Sequence, residues 1–217
     1  MLAIMPRGFL QSLACALALL GSGPSAAVAG DDAYAILRKA SGDAALRSAL
    51  IREGRAANFF CTNCHGEDGS SRYLEVPNLA GQHPVYLVNQ IEAFLSGKRR
   101  NEFMQGLMKV LGEREKAAIA LAYSDLPGKP ALAAVPAAAK AGEAHFQRAC
   151  ARCHQGDARG GEAVPRLAGQ QPDYLRMSLQ RYLRRSGERV SPEMSAAVAD
   201  LGEPNIDAVV AYLASMR

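Results

Sequence analysis

The chain has 217 residues, 49% of them hydrophobic and 21% charged, with a formal net charge of +4. That composition excludes a disordered chain, and a charge balance so near neutral gives no footing for nucleic-acid binding. With no Trp and only 6% aromatic residues, any core is thin, and small domains of this kind lean on a metal or cofactor for stability.

In chain order, Arg7 precedes an apolar run from Phe9 to Leu20, and small residues ending in Ala27-Val28-Ala29 follow. This pattern predicts a secretory signal peptide over residues 1–29, cleaved before Gly30, and so a periplasmic protein. The rival, an uncleaved anchor, wants a longer apolar run than this one. Cys15 lies inside the run and is discarded with it. No later segment approaches a membrane-spanning length, so no transmembrane segment is expected in the mature chain. Removing Arg7 leaves 24 basic residues against 21 acidic ones.

Residues 30–53 predict one or two short amphipathic helices with a break at Ser41-Gly42. They have no visible counterpart later, and read as an extension packed on the first domain or as a docking element. Beyond them the chain repeats itself. "CTNCHG" begins at Cys61 and "CARCHQG" at Cys150; "VPNLAGQHPVYL" (Val76 to Leu87) matches "VPRLAGQQPDYL" (Val164 to Leu175); "MQGLMKVLGE" (Met104 to Glu113) matches "MSAAVADLGE" (Met194 to Glu203). Two homologous domains follow, 54–126 and 140–217, joined by a Pro/Ala-rich linker over 127–139. Each half predicts a helix leading into C-x-x-C-H and a second starting at Pro84 or Pro172. A third runs from about Glu113 to Tyr123, or from Glu203 to Ser215. No alternating strand pattern is present, so the fold class is all-α.

Two thiols at C-x-x-C spacing can bond to the two vinyl groups on one edge of a haem, and the adjacent His is then held beneath the iron. Cys61, Cys64 and His65 form one such site, and Cys150, Cys153 and His154 the other, predicting two covalently attached haem c groups. Zinc would lack a fourth ligand in each half, and one shared four-cysteine site would leave both histidines without a purpose. A redox disulfide has no strand-rich thioredoxin context. For the second axial ligand, His145 lies on the helix feeding its own motif, and His83 is matched by Gln171. Met104 and Met194 are the aligned pair, each in a loop-like approach to the helix that closes its half, whereas Met108 is matched by Val198. His/Met ligation leaves no open iron position and marks an electron carrier with no catalytic residues.

These residues resemble the dihaem cytochrome c4 family, periplasmic carriers built from two tandem cytochrome c domains. The resemblance covers residues 54–217 and rests on both C-x-x-C-H motifs and the P-x-L-A-G-Q-x-P-x-Y-L segments. The turns "SGKR" and "SGER" and the M-x6-L segments complete it. It implies His/Met-ligated iron at His65 with Met104 and at His154 with Met194, and backbone carbonyls of Pro77 and Pro165 on the two histidines. Two departures stand out: the addition over 30–53, and Gly54, one residue out of step with Gly142, with Ala57 where the second half has Phe146. Different packing of the first domain's terminal helices is therefore expected.

The function this implies is single-electron transfer between redox protein partners, such as a haem-copper terminal oxidase or a periplasmic dehydrogenase. Two alternatives are a dedicated subunit of a flavoprotein sulfide dehydrogenase, docked through residues 30–53, and a catalytic dihaem enzyme with a labile Met ligand. The basic clusters Lys98 to Arg100 and Arg181 to Arg185, with Arg189 beyond, read as solvated helix ends or as partners of the haem propionates. Steering toward an acidic protein, or peripheral association with an anionic membrane, is the functional alternative.

Overall fold

A computed structural model describes residues 31–131 and 136–217. The expected signal peptide and the middle of the linker lie outside the described residues. Those described are helical throughout, without a strand, and form a single compact unit.

Local signals start the helices. Asp32 caps α1 (Ala33–Gly42), its carboxylate accepting from the Ala35 amide at 2.7 Å. Asp43 caps α2 (Ala44–Ala57) by accepting from the Ala45 and Leu46 amides. A cap of this kind contributes about 1 kcal/mol. The short α3 (Thr62–His65) carries the first motif. Pro84 opens α4 (Pro84–Leu95), where a missing N–H costs nothing. α5 (Glu102–Met108) and α6 (Glu113–Ser124) complete the first half. The second half repeats the order with α7 (Pro136–Ala149), α8 (Ala151–His154), α9 (Pro172–Arg184), α10 (Pro192–Leu201) and α11 (Ile206–Ser215), the last preceded by a 3-10 turn over Glu203–Asn205.

Each half has its own core. Ile36, Leu37, Leu50, Val88, Ala117 and Leu121 bring α1, α2, α4 and α6 together. Phe146, Leu175, Val198, Val209 and Leu213 do the same for α7, α9, α10 and α11.

The glycine expectation is corrected here. A Cβ on Gly54 would lie 2.1 Å from the Ala118 carbonyl oxygen, and one on Gly142 would lie 2.0 Å from that of Ala208. Both glycines thus let the leading helix touch the closing helix, α2 on α6 and α7 on α11. The one-residue mismatch is absorbed afterwards: α7 runs up to Cys150, whereas α2 stops at Ala57 and Asn58–Phe60 form a turn before Cys61. What does differ is aromatic packing. Phe146 and Tyr212 pair at 5.7 Å between ring centroids, whereas in the first half Ala57 stands at the position of Phe146, counted from the cysteines, and Tyr123 is fully buried. In addition, α2 runs unbroken across residues 53 and 54, so only α1 lacks a counterpart.

The halves meet through a reciprocal contact. Gln82 accepts from the Arg166 amide at 2.8 Å and donates to the Arg166 carbonyl at 3.0 Å. Gln170 does the same to Asn78, at 2.7 and 3.0 Å. Both glutamines are buried, and an unpaired amide there would cost about 1–3 kcal/mol. A second join pairs the two Ser-Gly turns: the Arg100 amide donates to the Glu188 carbonyl at 2.8 Å and the Val190 amide to the Lys98 carbonyl at 3.0 Å.

Candidate functional site

The two motifs take up one local geometry. The amides of Cys64 and His65 both donate to the Cys61 carbonyl, and those of Cys153 and His154 to the Cys150 carbonyl. This single turn of helix carries both cysteines and the histidine of each motif. The Ser71 hydroxyl ties the first motif down by donating to the Cys64 carbonyl at 2.7 Å.

Both histidines are buried, and each ring contacts one backbone carbonyl. Nδ1 of His65 lies 2.9 Å from the Pro77 oxygen, and Nδ1 of His154 lies 3.1 Å from the Pro165 oxygen. A carbonyl can only accept, so Nδ1 carries the proton and Nε2 keeps its lone pair. Burial pushes both imidazoles below the usual histidine range, with the carbonyls opposing this, which favours the neutral ring at neutral pH. The proline carbonyls implied by the family resemblance therefore stand where they were expected.

None of the four motif cysteines is paired in a disulfide. Burial raises the Cys61 thiol, and pushes the Cys150 thiol up to about 11. Among the described residues no three His, Cys, Asp or Glu side chains gather into a metal-binding cluster.

Met104 and Met194 occupy matching posts, but on helices rather than on the loop-like approach that the sequence suggests. Each is the third residue of its helix, with its amide held by the capping side chain, Asn101 at 2.9 Å and Ser191 at 3.2 Å. Both are half-buried beside apolar residues: Met104 near Ile91, Phe94 and Met108, and Met194 against the second core. Met108 is core, as is its counterpart Val198. His83 is turned to the junction, its Nε2 2.7 Å from the Arg159 carbonyl oxygen.

One cluster was not anticipated in this form. Arg189 donates to the hydroxyls of Tyr182 and Tyr174, both at 2.7 Å, of Ser178 at 3.1 Å and of Tyr86 at 2.9 Å. Arg99 donates to Tyr174 at 3.1 Å and to Gln90 at 2.9 Å, and stacks 4.4 Å from the Phe94 ring centre. Burial resists ionisation of Tyr174, but the two guanidiniums and their hydrogen bonds outweigh it and hold this phenol at about 7. Burial dominates at Tyr86 and pushes it up to about 12. Neither arginine has a carboxylate within 4.0 Å among the described residues. The signal was legible: Arg99 and Arg189 end the aligned turns "SGKR" and "SGER". In the second basic cluster Arg181 pairs with Glu188 at 3.1 Å and Arg184 with Glu203 at 3.9 Å.

The donor set suits haem. Each half offers two thiols for the vinyl groups, a neutral imidazole with its Nε2 lone pair and a thioether, and Arg99 and Arg189, without a carboxylate within 4.0 Å among the described residues, could take up propionate charge. Paired C-x-x-C-H sites on two helical domains define a dihaem c-type cytochrome, a protein of electron transport rather than an enzyme. Comparison with known proteins agrees. The family model "Cytochrome C oxidase, cbb3-type, subunit III" matches residues 137–213. Cytochrome c4 of Thiocapsa roseopersicina is 34% identical over 171 residues, covering 72% of this chain and 87% of that protein. A thiosulfate dehydrogenase electron acceptor of Thiomonas intermedia (strain K12) is 34% identical over 169 residues, 71% and 77% of the two chains. The crystal structure of reduced cytochrome c4 from Pseudomonas stutzeri superposes with a TM-score of 0.70 at 27% identity, covering 77% of this chain and 98% of that one. The chain belongs to the cytochrome c4 family, and its cofactors are two haem c groups.

Proposed function

We propose that this chain is a periplasmic shuttle that takes single electrons from a dehydrogenase and hands them to a terminal oxidase. Cys61 and Cys64 would attach the first haem and Cys150 and Cys153 the second, and His65 with Met104, and His154 with Met194, would supply the iron's protein ligands. The observation that carries this is the twofold match of ligand environments: a proline carbonyl on each histidine and a capped, half-buried methionine in each half. When bound, each haem supplies a one-electron Fe(III)/Fe(II) couple whose potential the protein tunes. The chain's own residues do the rest. Pro77 and Pro165 fix the tautomer and orientation of the imidazoles. Burial of both histidines excludes water, and two fixed ligands leave little to rearrange on oxidation or reduction. Arg99 and Arg189 offset the propionate charge at the junction.

Residues 1–29 act as a cleaved signal, so the mature protein starts at Gly30. Among the described residues no helix is long and apolar enough to cross a membrane. We place the first domain from Ala44, because α2 packs as α7 does, and treat α1 as an added brace. The donor suggested by the Thiomonas relative is a thiosulfate dehydrogenase, and a haem-copper oxidase is a fitting acceptor. The sulfide dehydrogenase alternative assigned docking to residues 30–53. Ala33, Ile36, Leu37 and Ala40 of α1 are buried in the first core, which favours the brace.

The test is the optical spectrum of the exported protein with a pyridine haemochrome count. Two haems per chain are expected, with a far-red band from methionine sulfur on ferric iron that Met104→Ala and Met194→Ala each halve. A half-strength band in the wild type would remove one methionine from the assignment, and no covalent haem would overturn the reading. Amino-terminal sequencing of the exported chain checks the cleavage at Gly30.

A further inference from the structure

The surface around the first motif is apolar and the equivalent surface of the second is charged. Phe59 is 74% exposed, Phe60 48%, Phe103 59% and Val110 78%. Phe60 immediately precedes Cys61 and Phe103 immediately precedes Met104, and their rings lie 6.4 Å apart. The pair therefore joins the attachment segment to the methionine segment across the surface. In the second half the same four positions hold Arg148, Ala149, Glu193 and Asp200, of which the three charged residues are exposed. Large exposed aromatic side chains are uncommon on a monomer's surface unless something covers them. Here they stand where any occupant would come close to the first haem.

We propose that this aromatic face of the first domain is the docking site for a redox protein whose own cofactor opens through an apolar, uncharged surface. Charge selects the occupant. Glu102 and Lys109, at the two ends of the same short helix, cancel, so the patch presents no net charge to attract an anionic lipid surface or an acidic protein. Its position on both ligand-bearing segments favours an electron partner over a second copy of this chain. Aromatic side chains are the usual anchors of protein interfaces. The inference rests on attachment of the first haem at Cys61 and Cys64, as proposed above.

The test compares the intact protein with Phe60→Ser/Phe103→Ser, both carrying two haems by haemochrome count. Adsorption and electron exchange are measured on methyl-terminated and carboxylate-terminated alkanethiol monolayers, by microbalance and voltammetry. On the methyl surface the variant is expected to lose about tenfold in both, with reduction by dithionite and behaviour on the carboxylate surface unchanged. Equal behaviour of the two proteins on the methyl surface overturns the proposal. If the double variant fails to load, Phe103→Ser alone, outside the C-x-x-C-H segment, repeats the comparison. A second arm follows reduction by a thiosulfate dehydrogenase with thiosulfate. A rate slowed about tenfold by the variant and nearly independent of ionic strength supports the face for this partner. An unslowed rate removes this enzyme from the face, and the monolayer result then decides. No reduction of the wild type disposes of the thiosulfate reading, again leaving the monolayers to judge the face. Dimerisation in sedimentation, or binding to phosphatidylcholine vesicles, that the substitutions abolish would make a second copy or a lipid the occupant and overturn the proposal.

Discussion

Just ahead of its first cysteine the first half carries Phe59 and Phe60, and the second half Arg148 and Ala149. Ahead of the methionines stand Phe103 and Glu193. The outer side of the closing helices differs too: α1 lies across α4 and α6 in the first half, and among the described residues no added helix lies across α9 and α11. Between these outer surfaces the two halves are nearly interchangeable, with matching histidine contacts, methionine caps and glycine crossings. Duplication has thus kept whatever positions the cofactor and freed whatever meets the outside. The difference teaches that the two halves diverge most at exposed side chains that no ligand geometry constrains, where the proposed docking face lies.

The strongest way to break the comparison is to remove one cofactor at a time. Cys61→Ser/Cys64→Ser and Cys150→Ser/Cys153→Ser should each lower the haem count from two to one. Circular dichroism should show more helix retained when the first is lost, because α1 adds apolar burial to that core. Equal losses would deny α1 its bracing role. Next come the crossings. Gly54→Ala and Gly142→Ala each drive a Cβ into a backbone carbonyl, which must move, so each should cost about 1–3 kcal/mol or more in denaturant unfolding. Similar costs would show that the one-residue mismatch does not reach the helix crossing.

Smaller effects are expected at the junction. Gln82→Ala and Gln170→Ala each leave a peptide unit of the other half unpartnered, and should cost about 1–3 kcal/mol each. The reciprocal geometry predicts near-equal values, again by denaturant titration.

The smallest effect separates the halves by pH. Glu113 is held below its ordinary value of 4.5 by a hydrogen bond from the Lys116 ammonium, and also by the Ala33 amide; burial opposes both. A depressed carboxyl stabilises the fold above its unfolded value and loses that contribution as the pH falls through the folded one. Acidification below about pH 4.5 should therefore loosen α1 first. Hydrogen exchange at Ile36 to Ala40 would report it, with the second half as the internal control. Glu113→Gln should remove most of that pH dependence.

Much of the site was legible because its chemistry is local. C-x-x-C-H needs only one turn of helix to carry two thiols and an imidazole, so spacing alone pointed to haem. The repeat then aligned Met104 with Met194 and set Met108 aside. Proline at the start of α4 and α9 marked those helices for the same local reason. The exported start of the chain and its cleavage at Gly30 are likewise sequence-level expectations.

Other features depended on residues distant in the chain. Gly54 looked misplaced because sequence counts residues from the cysteines, whereas packing counts distance across to Ala118, and a short turn absorbs the difference. The methionines read as lying on loops because helices as short as α5 leave almost no periodicity to detect. Arg99 and Arg189 read as helix ends until the junction showed Tyr86, Tyr174 and Tyr182 around them. Gln82 and Gln170 looked like repeated letters, and only the folded chain shows each bonding the backbone of the opposite half. What the sequence by itself determined was the chemistry that neighbouring residues can complete: two covalent haem sites, their count and an all-helical fold. What only the tertiary structure decided was where the halves touch and which surfaces remain open, since hydrogen bonds and burial between segments 80 or more residues apart exist only once the chain has folded.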